Sequence, residues 1–220
     1  MTSAVLLDLD GTLIDSCPGI LASCVAALRA LGHEPDKSLD IRGIIGPPLE
    51  DMMQVLLKPY GDDRLDQAVT AYRQHYGESG YLGSPPYPGI GEALAEMKLA
   101  GLTLYLATSK RAVFASRILD HLKFTPFFDA IYGSVPGGAL DHKPELLAHI
   151  VSKHHLSPAH SLMVGDRRYD IAGAHAVGMR ALGVLWGYGN RDELETAGAD
   201  RLVDSPADLP RTILAMLNGA

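Results

Sequence analysis

The stretch AVLLDLDGT, residues 4–12, carries the reading of the fold. Residues 4–8 are a short apolar run that stops on an acid, the pattern of a strand buried on both faces. Asp8 and Asp10 stand at i and i+2. On an extended backbone their carboxylates emerge on the same side. Gly11 then allows a sharp turn in which main-chain N–H groups can face an anion. Two carboxylates this close repel each other unless a cation such as Mg2+ joins them or one keeps its proton.

Downstream, the pattern turns helical from Ser16 to Leu31, with Pro18 near its start and Gly32 just past its end. Residues 33–47 are irregular, and helical patterns return at about 48–58 and 63–80. GSPPYPG, residues 83–89, is turn chemistry and reads as a linker. No strong strand signal interrupts this region, so an inserted helical domain is expected over 16–84. Beyond Pro88 strands and helices alternate. LTLYLAT (102–108), the short run Ala130–Gly133, SLMVG (161–165), MRALGV (179–184) and RLV (201–203) read as strands. Helices are expected near 89–100, 111–122, after Pro144, and near 169–177, 191–197 and 207–217. Such alternation means an α/β fold, a parallel sheet covered on both faces, built from residues 1–15 and 85–220.

The chain has 220 residues, 47% of them hydrophobic and 20% charged, enough apolar material for a real core. Its net charge of -7 argues against binding nucleic-acid polymers or anionic membranes. An anionic substrate must then be met by a local cluster of donors or by a bound cation. Two cysteines, Cys17 and Cys24, exclude a disulfide scaffold and a Cys-rich zinc site, and read as small hydrophobes on one helix face. With no basic leader and no apolar run long enough to span a bilayer, a cytoplasmic protein is expected.

Several buried strands end in chemistry. The first ends in Asp8, with Asp10 and Gly11 following; LTLYLA ends in Thr108, Ser109 and Lys110; SLMVG ends in Asp166, with Asp170 four residues on. Lys143 stands just before Pro144, at a helix start, where a cation opposes the helix dipole and suits a phosphate or carboxylates better. In open parallel sheets ligands bind beyond the carboxyl ends of the strands. Each residue alone also has a plain reading: a turn at Asp10-Gly11, helix caps at Thr108, Ser109 or Asp166, a surface lysine at 143. Their joint occurrence, in order and each at a strand end or helix start, does not follow from those readings.

The set DLDGT (8–12), Thr108 after an apolar strand, Lys143-Pro144 and GDRRYD (165–170) resembles the four signatures of the haloacid dehalogenase (HAD) superfamily of phosphatases. The resemblance spans the whole chain and implies a Rossmann-like three-layer parallel-sheet core, with a helical cap domain inserted after the first strand. The phosphoglycolate phosphatase-like branch is the nearest in pattern. GPPLEDM (46–52), LATSK (106–110), VGDRRYDIAGA (164–174) and GVLWGYG (183–189) are similar to bacterial members described as 5′-nucleotidases. The resemblance implies a Mg2+-dependent phosphomonoesterase acting on a small phosphorylated metabolite. Its substrate would be a nucleoside 5′-monophosphate or phosphoglycolate. A phosphomutase and a non-catalytic phosphate-binding protein are the competing classes. The second aspartate, which the dehalogenase branch lacks, argues against dehalogenation.

The same resemblance assigns roles. Asp8 is the nucleophile that forms an aspartyl-phosphate. Asp10 is the general acid and then the base, and must hold a proton when the reaction starts. Mg2+ is held by Asp8, the Asp10 carbonyl and Asp166, with Asp170 binding through water or orienting the set. Gly11, Thr108, Ser109 and Lys143 meet the phosphoryl oxygens. Substrate selection falls to the cap: Gly46 and Pro47 in a rigid loop, Arg42 nearby as a cation for a second anionic group or as a solvated surface residue, and Tyr72 and Tyr76. These tyrosines sit at i and i+4 on a helix, as a platform for a base or as part of the cap's own core.

Overall fold

Strand β1 (Ala4–Leu7) lies inside a six-stranded, all-parallel sheet of order β3-β2-β1-β4-β5-β6. The computed structural model describes residues 4–35, 47–135, 138 and 140–219. The other strands are β2 (Thr103–Arg111), β3 (Ala130–Ser134), β4 (Ser161–Gly165), β5 (Arg180–Val184) and β6 (Arg201–Val203). The chain runs outward from β1 through β2 and β3, then returns to the other side of β1 with β4. That reversal opens a crevice at the carboxyl ends of β1 and β4. Register makes it a site: Leu7 pairs with Leu106 on one side and Val164 on the other. Asp8 follows Leu7 by one position, and Thr108 and Asp166 follow Leu106 and Val164 by two, so all three emerge at the same end of the central strands.

Strand alternation sorts the core into two layers. Val5, Leu7, Leu104, Leu106, Leu162, Val164, Leu182 and Val184 face one way. They pack on Ile90, Leu94 and Met97 of one helix (Ile90–Leu99), Ile118 and Leu119 of a second (Ala112–His121), and Ile213 and Met216 of the last (Leu209–Asn218). Ala4, Leu6, Tyr105, Ala107, Met163 and Ala181 face the other way. They pack on Leu146, Leu147 and Ile150 of the helix Lys143–Lys153, Ile171 and Ala174 of Arg168–Ala176, and Leu194 of Arg191–Thr196. Both faces are covered, as the near-continuous apolar strands require.

One boundary differs from the sequence reading. β2 runs on to Arg111 instead of stopping at Thr108, because β3 resumes pairing with it at Arg111–Ser134 after a register shift that begins at Ala107. Such irregularities re-aim side chains, and this one spans Thr108, Ser109 and Lys110.

Between β1 and β2, α1 (Cys17–Ala30), α2 (Leu49–Leu57) and α3 (Leu65–Glu78) gather around an apolar cluster of their own. Cys24, Leu28, Met53, Leu56, Tyr72 and Tyr76 are among its members. Cys17 and Cys24 are buried, free thiols within it. The chain enters and leaves this segment by two adjacent passes: Asp15 N–H donates to the Pro85 carbonyl (2.9 Å) and Tyr87 N–H to the Leu13 carbonyl (3.1 Å). Among the described residues no helix is long and apolar enough to cross a membrane.

Candidate active site

The first strand delivers Asp8 to the crevice, and its neighbours hold it there. Asp8 N–H donates to the Val164 carbonyl at 2.9 Å, which extends the β1–β4 pairing by one residue. Lys143 Nζ donates to Asp8 Oδ1 at 2.7 Å and to the Ala107 carbonyl at 2.8 Å, and lies 2.7 Å from Asp170 Oδ1. Lys143 stands at the start of its helix and is buried, so its charge is committed to these three oxygens rather than to solvent. The surface-lysine reading is thereby excluded. Burial works against the Lys143 charge, but Asp170 and Asp8 outweigh it and hold its pKa above the usual lysine value.

Asp166 does not cap a helix. Its Oδ2 accepts the Tyr188 main-chain N–H at 2.7 Å and its Oδ1 accepts the Thr12 hydroxyl at 3.3 Å. Asp170 does cap one: Oδ2 accepts the Arg167 N–H at 3.1 Å at the start of the helix Arg168–Ala176, while Oδ1 faces Lys143. Asp8, Asp166 and Asp170 are all buried, and each offers an oxygen within 4.8 Å of the others. Burial pushes the Asp8 carboxyl up to about 7; Lys143 opposes this, and Asp170 and Asp10 add to it. Burial, then Asp8 and Asp170, holds Asp166 well above the usual carboxylate range. With all three ionised, the single ammonium of Lys143 leaves a net charge of about -2 in a buried site, which is unfavourable without a cation. Three hard oxygen ligands with two surplus charges fit a divalent metal ion.

Gly11 makes this closeness possible. It adopts φ +85°, and a Cβ there would fall 2.1 Å from Asp166 Oδ2. The loop after β5 closes over the same carboxylate. A Cβ on Gly187 would lie 2.4 Å from both Asp166 Cβ and the Gly11 carbonyl oxygen. Trp186 Nε1 donates to the Thr12 carbonyl at 2.9 Å, which pins this loop to the Asp10-Gly11 turn.

Asp10 stands beyond the cluster and faces the helical segment. Its Oδ2 lies 2.8 Å from Lys110 Nζ. Thr108 is buried, and its Oγ1 accepts the Lys110 N–H at 3.2 Å. The helix after β2 begins only at Ala112, so neither Thr108 nor Ser109 caps it. Asp8, Asp10, Thr108 and Ser109 line one cleft together with Pro47, Met52, Tyr72, Arg73 and Tyr76 from the helical segment. Within that segment Arg73 donates to Glu50 Oε1 at 2.6 Å.

Tyr72 and Tyr76 border the cleft but belong to the helical segment's own core. Their rings stack on each other (5.5 Å between centroids, 7° between planes), and the Tyr76 ring also meets the edge of Phe114. Tyr72 is 6% and Tyr76 1% exposed, which leaves little free ring surface for a base. Arg42 and Gly46 lie outside the described residues. Sequence reasoning gave no role to Lys110 or Tyr188. The Tyr188 hydroxyl donates to Asp15 Oδ1 at 3.0 Å and accepts the Cys17 N–H at 2.9 Å. The run GVLWGYG drew attention to its loop, but nothing local in it points to either partner.

Residues 5–184 match the family model of the haloacid dehalogenase-like hydrolases. A 5′-nucleotidase of Pseudomonas aeruginosa is 41% identical over 192 residues, 86% of each chain. A phosphoglycolate phosphatase of Vibrio vulnificus is 29% identical over 217 residues, 96% of this chain and 95% of its own. The crystal structure of a predicted phosphatase from Clostridium acetobutylicum superposes with a TM-score of 0.88 at 33% identity, covering 97% of this chain and 99% of that one. With the family model covering most of its length, and the acidic cluster at the carboxyl ends of its central strands, this chain belongs to the haloacid dehalogenase-like hydrolase family.

Proposed function

We propose that this protein is a Mg2+-dependent phosphomonoester hydrolase that works through an aspartyl-phosphate on Asp8. We further propose that residues 16–84 act as its cap and that its substrates lean toward nucleoside 5′-monophosphates. The observation that carries the reading is the buried set Asp8, Asp166 and Asp170 around Lys143, with Asp10 beside it on the same cleft. Lys143 holds Oδ1 of Asp8, which fixes the carboxylate for attack through its other oxygen.

In the first step the Asp8 oxygen bonds to phosphorus as the P–O bond to the substrate alcohol breaks. Asp10 delivers its proton to the departing oxygen. In the second step Asp10, now a carboxylate, takes a proton from water as that water attacks phosphorus. Phosphate departs and Asp8 is regenerated. Thr108, Ser109, Lys143 and the Gly11 turn would hold the non-bridging oxygens throughout. Asp8, Asp166 and the Asp10 carbonyl would hold Mg2+, with Asp170 alongside. When bound, the ion supplies charge compensation that lets an anionic nucleophile approach an anionic phosphoryl group.

The lean toward nucleotides is supported by the 41% identity to the Pseudomonas aeruginosa 5′-nucleotidase. The apolar lining of the cleft by Pro47, Pro48, Leu49, Met52 and Phe114 points the same way, since it suits a ligand body larger than glycolate. Phosphate release with Mg2+ on phosphoglycolate and on adenosine 5′-monophosphate tests it. Faster turnover of the nucleotide supports the reading. A strong preference for phosphoglycolate would replace it with a phosphoglycolate phosphatase, and no hydrolysis of either would sink the enzymatic reading. A phosphomutase would instead return an isomerised sugar phosphate without net phosphate release.

A further inference from the structure

Lys110 has no role in the scheme above, yet its side chain is only 8% exposed in the middle of the site. It sits in the irregular stretch of β2, two residues after Thr108. Its Nζ lies 2.8 Å from Asp10 Oδ2 and 4.7 Å from the centroid of the Tyr76 ring. The ammonium thus touches a core carboxylate on one side and an aromatic ring of the helical segment on the other. A buried ammonium needs such partners, and the ring contributes by cation–π attraction. Burial, which opposes the charge, is outweighed by Asp10 and Tyr76, so Lys110 keeps its proton more firmly than an ordinary lysine.

The two oxygens of Asp10 are therefore unlike. Oδ2 is held by Lys110, whereas Oδ1 is buried and, among the described residues, has no hydrogen-bond partner. A buried, unpartnered carboxylate oxygen is unfavourable unless something visits it. Oδ1 belongs to a side chain that lines the same cleft as Asp8 and Thr108.

We propose that Lys110 is a positioning residue for Asp10: it anchors Oδ2 so that Oδ1 is the oxygen that exchanges a proton in the reaction, and its seat against Tyr76 makes that aim depend on the helical segment lying over the core. The inference rests on the aspartyl-phosphate reading above. In the first step the proton on Oδ1 passes to the leaving alcohol oxygen as its bond to phosphorus breaks. The negative charge left on Asp10 forms 2.8 Å from the ammonium that already faces it. In the second step Oδ1 accepts the proton of the attacking water. Lys110 loses no proton in either step.

The test compares two esters in single-turnover rapid quench with saturating Mg2+. One is an alkyl phosphate: adenosine 5′-monophosphate or phosphoglycolate, whichever the wild type cleaves faster. The other is p-nitrophenyl phosphate, whose leaving group departs without a proton. Lys110→Met should slow cleavage of the alkyl ester ~100-fold but that of the aryl ester less than ~5-fold, because only the first needs general acid. Lys110→Arg should recover most of the loss. Tyr76→Leu should show the same bias toward the alkyl ester, more weakly, and should add nothing in the Lys110→Met background.

Equal slowing of both esters would reduce Lys110 to a structural residue, and an additive Tyr76→Leu effect would sever the link to the helical segment. Thermal melts check that each variant folds. If Lys110→Met does not, the ester bias of Tyr76→Leu decides the matter, and its absence overturns the proposal. Asp8→Asn separates the two layers of argument: leaving-group release persisting in that variant refutes the aspartyl-phosphate reading itself. Its loss, combined with equal slowing in the Lys110 variants, refutes only the role of Lys110.

Discussion

Tyr188 ties Asp166 to the entrance of the helical segment: its main-chain N–H donates to Asp166 Oδ2 at 2.7 Å, while its hydroxyl meets Asp15 Oδ1 at 3.0 Å and the Cys17 N–H at 2.9 Å. The two ends of one residue thus serve two places. Tyr188→Phe removes only the hydroxyl end. It should lower stability by about 0.5–1.5 kcal/mol, the net worth of an ordinary hydrogen bond, because the Cys17 N–H keeps a second acceptor in Asp15 Oδ1 at 3.2 Å. The Mg2+ concentration for half-activation should stay where it is. A thermal melt and a Mg2+ titration check both halves, and a large rise in the Mg2+ requirement would show that the hydroxyl also governs the acidic cluster.

Gly187 gives the opposite separation. A methyl group there would lie 2.4 Å from Asp166 Cβ and from the Gly11 carbonyl oxygen, so Asp166 or the loop must move. Gly187→Ala should raise the half-activating Mg2+ concentration ~10–100-fold, the range seen when the residues that orient metal ligands are disturbed. Isothermal titration with Mg2+ alone reads this without turnover. Unchanged affinity would mean that Asp166 is not a ligand.

Most of this arrangement was legible because each signature joins a local pattern to a chemical group. An apolar run that stops on Asp8, Thr108 or Asp166 announces both the strand and the end at which the polar groups gather. Register then does the rest, since Leu7, Leu106 and Val164 lie level across the sheet. Tyr188 and Lys110 were not legible. Their partners, Asp15 and Asp10, lie 173 and 100 positions away, and no periodicity encodes such a meeting. Tyr72 and Tyr76 were half legible. Spacing places them on one face of α3, but it does not say that this face borders both the segment's own core and the cleft.

The buried acids make stability depend on pH in a direction opposite to that of most carboxylates. Burial raises the carboxyl of Asp8 from the ordinary aspartate value of 3.8 to about 7 when no metal is bound. A carboxyl with a higher pKa in the folded state binds more protons folded than unfolded, so stability falls as pH rises between those values. Metal-free wild type should therefore lose melting temperature relative to Asp8→Asn from pH 4 to pH 7, and the difference should level off above that. Mg2+ should raise the melting temperature more at pH 7.5 than at pH 5, where protons compete for the same oxygens. A difference that stays flat with pH would mean that Asp8 is ionised throughout.

Tyr72 separates the two uses of its helix face. It is 6% exposed, stacked on Tyr76, and belongs with Cys24, Leu28 and Met53 to one apolar cluster. A ring so engaged contributes packing, and its removal leaves a cavity that the neighbours fill only in part. Tyr72→Ala should destabilise the protein by about 3–5 kcal/mol, as truncation of other large aromatic residues does. The ratio of kcat/KM for adenosine 5′-monophosphate over phosphoglycolate should change little, because a packing defect in the helical segment affects both substrates alike. Assayed well below the melting temperature, a ratio that collapses while phosphoglycolate turnover is retained would instead identify the ring as a platform for the base.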